Sequence, residues 1–359
     1  MGRLIGALNL ADSDREYVNV VGQRVVYDAI QQLVTQYNAD LGAAKAVFVE
    51  GTTTDHTERY KLPGGGRMQR LGDNAKPAFV KRGGSWDVAF PLEGFGDAIS
   101  GDRVDMAYMT VGELDRHIDT IVTADMNTYR FEMLRALFNN TAPRTFIDKR
   151  KGSLNLQPLA SGDATLYPPV LGSESEATEN HYLGSNYLSS AISDTNNPCV
   201  TVRDELEEHF GAPTGGSDIV MFINNAQTAK VSALTEFNRT DTRGVLPGAN
   251  TDRVVELPSV PGRILGRTDS GVWVSEWRWV PADYTIGIHL GAPPPLKERV
   301  DPADTGLPQG LQLVATKEDY PISESYWEHR FGLGVANRLN GVVMQFVAST
   351  SYSIPTAFQ

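Results

Sequence analysis

One long amphipathic stretch, residues 111–139, limits the possible folds of this chain more than any other feature. At 1.5 Å per residue a helix of this length spans about 43 Å, more than the diameter of a small domain. Ala142-Pro143 would end it. We therefore predict a spine helix with one apolar face. Its apolar residues, which recur three or four positions apart, are Val111, Leu114, Ile118, Ile121, Val122, Met126, Tyr129, Met133 and Leu137.

The segment 51–92 shows no helical periodicity and contains two glycine clusters, Gly64–Gly66 and Gly83-Gly84. A loop of this length without its own structure is uncommon inside a compact domain. Two polar strands joined by a glycine-rich tip fit the pattern better, and they would form a ribbon that projects from the body. Because an isolated two-stranded ribbon is only marginally stable in water, it must lie on another surface.

Charge distinguishes this ribbon from the chain as a whole, whose net charge is −12. Residues 57–90 carry seven basic side chains against three acidic ones, whereas residues 173–209 carry eight acidic side chains against one basic. A basic ribbon and acidic surfaces on the same chain favour association between identical copies. The alternative is that these are solvated loop charges without a partner. The candidate contact residues are Arg59, Lys61, Arg67, Arg70, Lys76, Lys81 and Arg82.

The remaining patterns predict an α+β fold that becomes strand-rich towards its end. Gly271–Val280 alternates in a way that places two or three tryptophans on one face of a strand, as in a sheet core. The other predicted elements are a helix at 17–42, a strand at 46–50, a strand pair within 144–159, a helix at 202–210, a buried strand at 218–224, a helix at 225–237 and several strands beyond residue 250.

The sequence contains no recognisable catalytic, metal or cofactor constellation. Its six histidines are scattered, its single cysteine, Cys199, has no histidine nearby in sequence, and neither a phosphate-binding loop nor a nucleophile elbow is present. We expect no enzymatic activity, no cofactor and no metal. The acidic balance argues against sequence-specific DNA binding, and no apolar run is long enough to span a bilayer.

Gly332-x-Gly334, within Phe331–Gly341, resembles part of a dinucleotide-binding loop. Such a loop requires a third glycine and a following helix, but here Asn337 stands at the third position and the residues from Val342 predict a strand. Asn340-Gly341 favours a tight hairpin turn. We therefore interpret this stretch as a turn between two strands.

The order of these parts resembles that of the major capsid proteins of tailed bacteriophages, whose HK97-like fold is shared with encapsulins. The parts are an N-terminal arm, a glycine-tipped ribbon, a spine helix, strands, an α/β middle and a strand-rich return. The return segment, residues 330–346 (RFGLGVANRLNGVVMQF), is similar to the family's late strand–turn–strand.

The resemblance implies an HK97-like α+β fold with defined domains. They are an N-terminal arm at 1–50, an extended loop at 51–92, a peripheral domain at 93–160 that contains the spine helix, an axial domain at 161–316 and return strands at 317–359. Pentamers and hexamers of such a subunit would build an icosahedral virion shell around double-stranded DNA, assembled in the host cytoplasm.

The partners that the resemblance implies are further copies of the chain, a portal, a separate scaffolding protein, a decoration protein and packaged DNA contacted non-specifically. No membrane partner is expected. In some family members a lysine of the extended loop forms an isopeptide bond with a neighbour, and Lys61, Lys76 and Lys81 are candidates. The sequence identifies neither the partner asparagine nor an assisting glutamate.

Two alternatives stay open at the level of sequence. The first keeps the fold but makes the chain the shell of an encapsulin-like cellular compartment. The second, of a different class, is a strand-rich hydrolytic enzyme whose acid/base pair lies among the 44 carboxylates.

Overall fold

The computed structural model describes residues 17, 23–62, 84–100, 108–171, 173, 175–210, 219–239, 259–307, 309–315 and 324–359. The chain divides into two compact units. Unit 1 consists of Met1–Lys45, Leu92–Glu132 and Arg299–Gly332. Unit 2 consists of Ala46–Pro91, Met133–Glu298 and Leu333–Gln359.

The described helices are α1 (Gln23–Lys45), α2 (Val111–Phe138), α3 (Pro198–Phe210) and the one-turn α4 (Thr228–Val231). The described strands are β1 (Val49–Thr53), β2 (Thr57–Lys61), β3 (Ser85–Ala89), β4 (Glu93–Ser100), β5 (Arg144–Asp148), β6 (Gly152–Leu156), β7 (Tyr182–Gly184), β8 (Ile219–Ile223), β9 (Phe237–Arg239), β10 (Arg263–Thr268), β11 (Val272–Glu276), β12 (Tyr284–His289), β13 (Leu296–Arg299), β14 (Leu311–Ala315), β15 (Glu324–Val335) and β16 (Val342–Gln345).

Helix α2 is the spine that the sequence predicts, and it begins at a capping box. The backbone N–H of Thr110 donates to the Glu113 carboxylate at 2.9 Å, and the backbone N–H of Glu113 donates to the Thr110 hydroxyl at 3.3 Å. The Glu113 carboxylate thus satisfies the N–H of Thr110, and the N–H of Glu113 also donates to the backbone carbonyl oxygen of Thr110 at 3.1 Å. The helix then runs for 28 residues.

The core of unit 1 lies between α1, α2 and the strands around β15. Strand β15 pairs antiparallel with β4 on one side and with β14 on the other. The apolar faces of both helices pack with these strands in one cluster. Its buried members are Ile30, Val34, Tyr37, Leu114, Ile118, Ile121, Leu311, Leu313 and Trp327.

A buried polar network joins three elements of this core. The Asp125 carboxylate on α2 accepts a hydrogen bond from the Tyr37 hydroxyl on α1 and lies against the His329 ring on β15; both contacts are 2.7 Å long. All three residues are buried. Burial and the neighbouring Asp125 charge raise the pKa of Tyr37, so its hydroxyl stays protonated and donates.

Unit 2 contains a seven-stranded mixed sheet in the order β7-β16-β12-β8-β11-β10-β9. Strand β8 lies in its middle, antiparallel to β12 and parallel to β11, and all five of its residues are buried. This burial on both faces explains the unbroken apolar sequence of β8. Helix α3 contributes Val202 and Leu206 to the core on one face.

Gly287 allows α3 to approach the sheet closely. A Cβ atom at this position of β12 would lie 2.1 Å from Cγ1 of Val202. We expect Gly287→Ala to lower the free energy of unfolding by about 2 kcal/mol, because the overlap forces helix and strand apart. Urea unfolding measures the change.

The matched control is Gly42→Ala on α1, where an added Cβ meets nothing within 4 Å. It should stabilise the chain by about 0.5–1 kcal/mol, since alanine favours a helix more than glycine does. Equal effects of the two substitutions would contradict the close approach at Gly287.

Two local predictions are wrong. Residues 225–237 do not form one helix, because only Thr228–Val231 is helical. Side chains compete for the backbone there: the N–H of Ala226 donates to Asn224, and that of Thr235 donates to Asp194. The tight hairpin at Asn340-Gly341 is also absent, since β16 pairs with β12 and β7 rather than with β15.

The predicted strand pair and the predicted burial of tryptophans agree with the structure. The strand pair within 144–159 is β5 with β6. Trp273 and Trp277 are buried in the sheet core, whereas Trp279 is 37% exposed. Within the part of the chain that the structure describes, no helix combines the length and apolar character needed to cross a bilayer.

Gly334 in the strand–turn–strand stretch has a packing role. A Cβ atom there would lie 2.6 Å from the Phe90 ring and 2.8 Å from the carbonyl oxygen of Ala89. The glycine therefore allows β15 to approach the segment that follows β3. The pattern Gly332-x-Gly334 lies in a strand, which agrees with the structural interpretation of the sequence.

Candidate assembly surface

The base of the predicted ribbon is a two-stranded antiparallel pair. Strand β2 pairs with β3, and Tyr60 lies opposite Trp86. Side chains of β3 alternate between the interior and the surface: Trp86 and Val88 are buried, and Ser85 and Asp87 are exposed. The tip between the two strands, residues 63–83, lies outside the described residues.

Trp86 holds this base against the rest of unit 2. Its ring centroid lies 5.6 Å from that of Tyr60 and 5.2 Å from that of Tyr167. Its indole N–H donates to the carbonyl oxygen of Ala336 at 2.9 Å. The ribbon therefore starts from a packed position with its own hydrogen bond.

The structure describes two of the seven candidate contact residues, Arg59 and Lys61, and their surroundings differ. The Arg59 guanidinium binds both carboxylate oxygens of Asp87 on the neighbouring strand, at 2.7 and 3.0 Å. This bidentate pair lowers the pKa of Asp87, and the Asp87 carboxylate offsets part of the Arg59 charge. Lys61 is exposed. The other five candidates, Arg67, Arg70, Lys76, Lys81 and Arg82, lie outside the described residues.

The turn from Ala336 to Gly341, called here the 336–341 turn, supports the ribbon base through buried polar side chains. The amide group of Asn340 donates to the carbonyl oxygens of His289 and Pro293, both at 2.9 Å, and its oxygen accepts from the N–H of His289. Asn337 donates to Pro293 at 2.8 Å. These bonds fix the turn to the segment that follows β12.

Arg338 is the centre of this turn and is fully buried. Its guanidinium donates to the carbonyl oxygens of Pro158 and Leu159, at 2.7 and 3.3 Å. It also donates to Asp163 at 2.9 Å and to Thr165 at 3.1 Å. The guanidinium carbon lies 5.6 Å from the centroid of the Tyr167 ring, which also packs on Trp86.

Sequence reasoning missed the role of this turn. The signal was present: an arginine and two asparagines stand between the apolar stretches of β15 and β16. A polar triplet in such a position predicts either an exposed turn or a buried polar network, and periodicity does not distinguish the two.

The acidic segment is organised around α3. Glu205 and Glu208 are partly buried on this helix, near Glu179. Burial, and then the charges of Glu208, Glu179 and Asp204, raises the pKa of Glu205 to about 7. Burial also raises the pKa of Glu208 and of Glu179. Acidic side chains therefore cluster on this surface, where Arg203 forms ion pairs with Asp204 and Glu207.

Comparison with solved structures identifies the fold. A chain from Mycobacterium phage Patience is similar at 20% identity over 97% of this chain and 95% of that chain, with a TM-score of 0.62. The capsid of a native GTA particle matches at 12% identity over 85% and 90%, with a TM-score of 0.46. An encapsulin from Synechococcus elongatus matches at 11% identity over 86% and 88%, with a TM-score of 0.43.

The chain shares its overall fold with the chain from Mycobacterium phage Patience. The α+β architecture predicted from the sequence is confirmed, and the similarity to a phage chain agrees with the family resemblance. No protein-family model matches the chain, and no curated protein matches it. The likeness therefore lies in the three-dimensional structure and in the order of elements.

Proposed function

We propose that the chain is the major capsid protein of a tailed bacteriophage. In this role it is a structural subunit without enzymatic activity that forms pentamers and hexamers and encloses double-stranded DNA in an icosahedral head. The observation that carries the proposal is the fold shared with the Mycobacterium phage Patience chain over nearly the whole length of both chains, together with the family resemblance of the sequence. The packed base of the ribbon adds support, because a projecting loop with a rigid base suits contact with a neighbouring copy.

The resemblance to the capsid family suggests a role for each part of the subunit. The extended loop at 51–92 would lie over a neighbouring subunit, residues 93–160 with the return strands at 317–359 would form the peripheral domain, and residues 161–316 would form the axial domain. The seven basic candidates of the loop would contact acidic surfaces of the neighbour, with Lys61 and the five residues of the tip contributing more than the paired Arg59. Further partners would be a portal, a scaffolding protein, a decoration protein and the packaged DNA.

The proposal is tested by the assembly of the purified chain and two matched triple variants. The first variant, Lys76→Gln with Lys81→Gln and Arg82→Gln, removes three positive charges from the ribbon. The second, Lys149→Gln with Arg150→Gln and Lys151→Gln, removes three exposed positive charges from the turn between β5 and β6. Both variants change the net charge equally.

We expect the unaltered chain to form uniform hollow icosahedral particles, or rings of five or six copies, in negative-stain micrographs. The ribbon variant should need at least about tenfold more protein to assemble, because it loses electrostatic attraction across each interface. Added salt should likewise raise the protein concentration at which the unaltered chain assembles, because it screens the same charges. The control variant should assemble like the unaltered chain. Light scattering measures the threshold.

A strictly monomeric and catalytically active chain would overturn the proposed function. If all three proteins form shells at the same protein concentration, the proposed shell function stands, but the proposed role of the ribbon charges is wrong. Particles that enclose a cellular enzyme rather than DNA when isolated from their source would favour the encapsulin-like compartment.

A further inference from the structure

Two histidines and a glutamate that are separated in sequence converge beside helix α3. Glu208 and His209 lie in its last turn, and His181 immediately precedes β7. One ring nitrogen of each histidine and one Glu208 carboxylate oxygen all lie within 4.8 Å of one another. The three side chains belong to unit 2.

Within the described part of the chain, each of the two histidines has one buried ring nitrogen without a hydrogen-bond partner. His181 is fully buried, and the side chain of His209 is 3% exposed. Among the described residues, Nε2 of His181 and Nε2 of His209 have no hydrogen-bond partner. Leaving two buried polar atoms unpaired costs free energy, so this arrangement points to a ligand that accepts both lone pairs.

The tautomer of His181 fits metal binding. Its Nδ1 lies 2.9 Å from the carbonyl oxygen of Gly341, which can only accept. Nδ1 must therefore carry the proton, and Nε2 of the neutral ring keeps its lone pair. A backbone carbonyl that holds Nδ1–H in this way is a common support for a metal-ligating histidine.

The third donor and the surrounding charge complete the site. The Glu208 carboxylate oxygen lies 3.5 Å from Nε2 of His209, and this side chain is 37% exposed, which leaves a route for an ion from solvent. Two imidazole nitrogens and one carboxylate oxygen form a donor set that Zn²⁺ prefers. The carboxyl groups of Glu179 and Glu205 lie near Glu208.

We infer that His181, Glu208 and His209 bind one divalent transition-metal ion, with Zn²⁺ as the best match, and that this ion ties the end of α3 to the start of β7. Tetrahedral ligands of zinc lie about 3.4 Å apart, so ligand atoms that now lie within 4.8 Å of one another must approach by up to about 1.4 Å. The fourth position is open to water.

This inference does not depend on shell assembly. The histidines were not recognised as ligands in the sequence because they do not share a local motif, and only the packing of α3 beside β7 brings them together. Metal sites with ligands on separate elements escape a search for short spacings.

The test uses the full chain treated with chelator, dialysed, and titrated with Zn²⁺ alone by calorimetry, with Co²⁺ absorption as a report of tetrahedral coordination. The variants are His209→Gln and Glu208→Gln. The matched control is His117→Gln, which removes an exposed histidine from α2. Far-ultraviolet circular dichroism checks that each variant is folded before titration.

We expect the unaltered chain and the His117→Gln variant to bind one Zn²⁺ per chain with the same affinity. His209→Gln should bind at least about 100-fold more weakly, and Glu208→Gln about 10-fold more weakly, as each loses a ligand. Zn²⁺ should raise the melting temperature of the unaltered chain but not of His209→Gln. Absence of binding by the unaltered chain, or equal affinity in Glu208→Gln and the unaltered chain, would overturn the inference even if His209→Gln fails to fold.

Discussion

Replacing Arg338 with methionine will lower the free energy of unfolding by about 4 kcal/mol. Methionine has a similar length, so little volume is lost, but every hydrogen bond of the guanidinium disappears. The carbonyl oxygens of Pro158 and Leu159 then lose a charged donor in a buried place, and Asp163 loses its ion-pair partner. The cost is large because groups that were desolvated on folding stay without partners.

Arg338→Lys should recover less than half of this loss. A lysine offers one compact charge, whereas the four hydrogen bonds of Arg338 diverge from one planar group to four different residues. Urea unfolding followed by tryptophan fluorescence measures both variants. Trp86 is a local reporter, because its ring packs on Tyr167 beside the guanidinium.

The matched control for Arg338 is Arg263→Met. That arginine also forms an ion pair, with Glu276 at 2.9 Å, but its side chain is 70% exposed. The same substitution there should change stability by less than about 1 kcal/mol, as is usual for surface pairs. If both methionine variants unfold at the same urea concentration, the 336–341 turn is not the support of the ribbon base that its contacts indicate.

The spine helix could be predicted from the sequence alone, whereas the role of the 336–341 turn could not. The bounds of α2 follow from local information, because an apolar stripe and a capping box at Thr110–Glu113 are both encoded in neighbouring residues. The pair β5–β6 is equally local, since its turn at Lys151-Gly152 lies between two short strands. Such elements are predictable from periodicity and turn chemistry.

Polar side chains in the core were less predictable, and the reason is physical. Arg338 donates to Pro158, which lies 180 residues earlier, and Asn340 donates to His289, which lies 51 residues earlier. No local sequence pattern therefore distinguishes burial of these two side chains from exposure. The convergence of His181 with His209 also depends on the packing of α3. The helix predicted at residues 225–237 was wrong because a distant residue overrides the local pattern. The apolar spacing favours a helix, but the backbone N–H of Thr235 donates to the Asp194 side chain instead.

Replacing Asp125 with alanine should also lower the free energy of unfolding by about 4 kcal/mol, and here the loss is shared by three elements of unit 1. The carboxylate is the common partner of the Tyr37 hydroxyl and the His329 ring. Its removal leaves both of those buried groups without this acceptor and opens space between α1, α2 and β15. A combined change tests this account: Tyr37→Phe in the Asp125→Ala background should cost little more, because phenylalanine has no hydroxyl to leave unpaired.

Asp119→Ala on the same helix is the matched control. It removes a carboxylate that is not part of the network. The Asp119 charge acts on Asp115 instead, whose pKa is raised mainly by burial and secondly by Asp119. The expected change is within about 0.5 kcal/mol. Equilibrium urea unfolding at one fixed protein concentration compares five proteins, since association shifts apparent stability: the unaltered chain, Asp125→Ala, Tyr37→Phe, the double variant and Asp119→Ala. Strict additivity of Asp125→Ala and Tyr37→Phe would show that the two side chains do not act as one unit, and the network would then contribute no more than its separate parts.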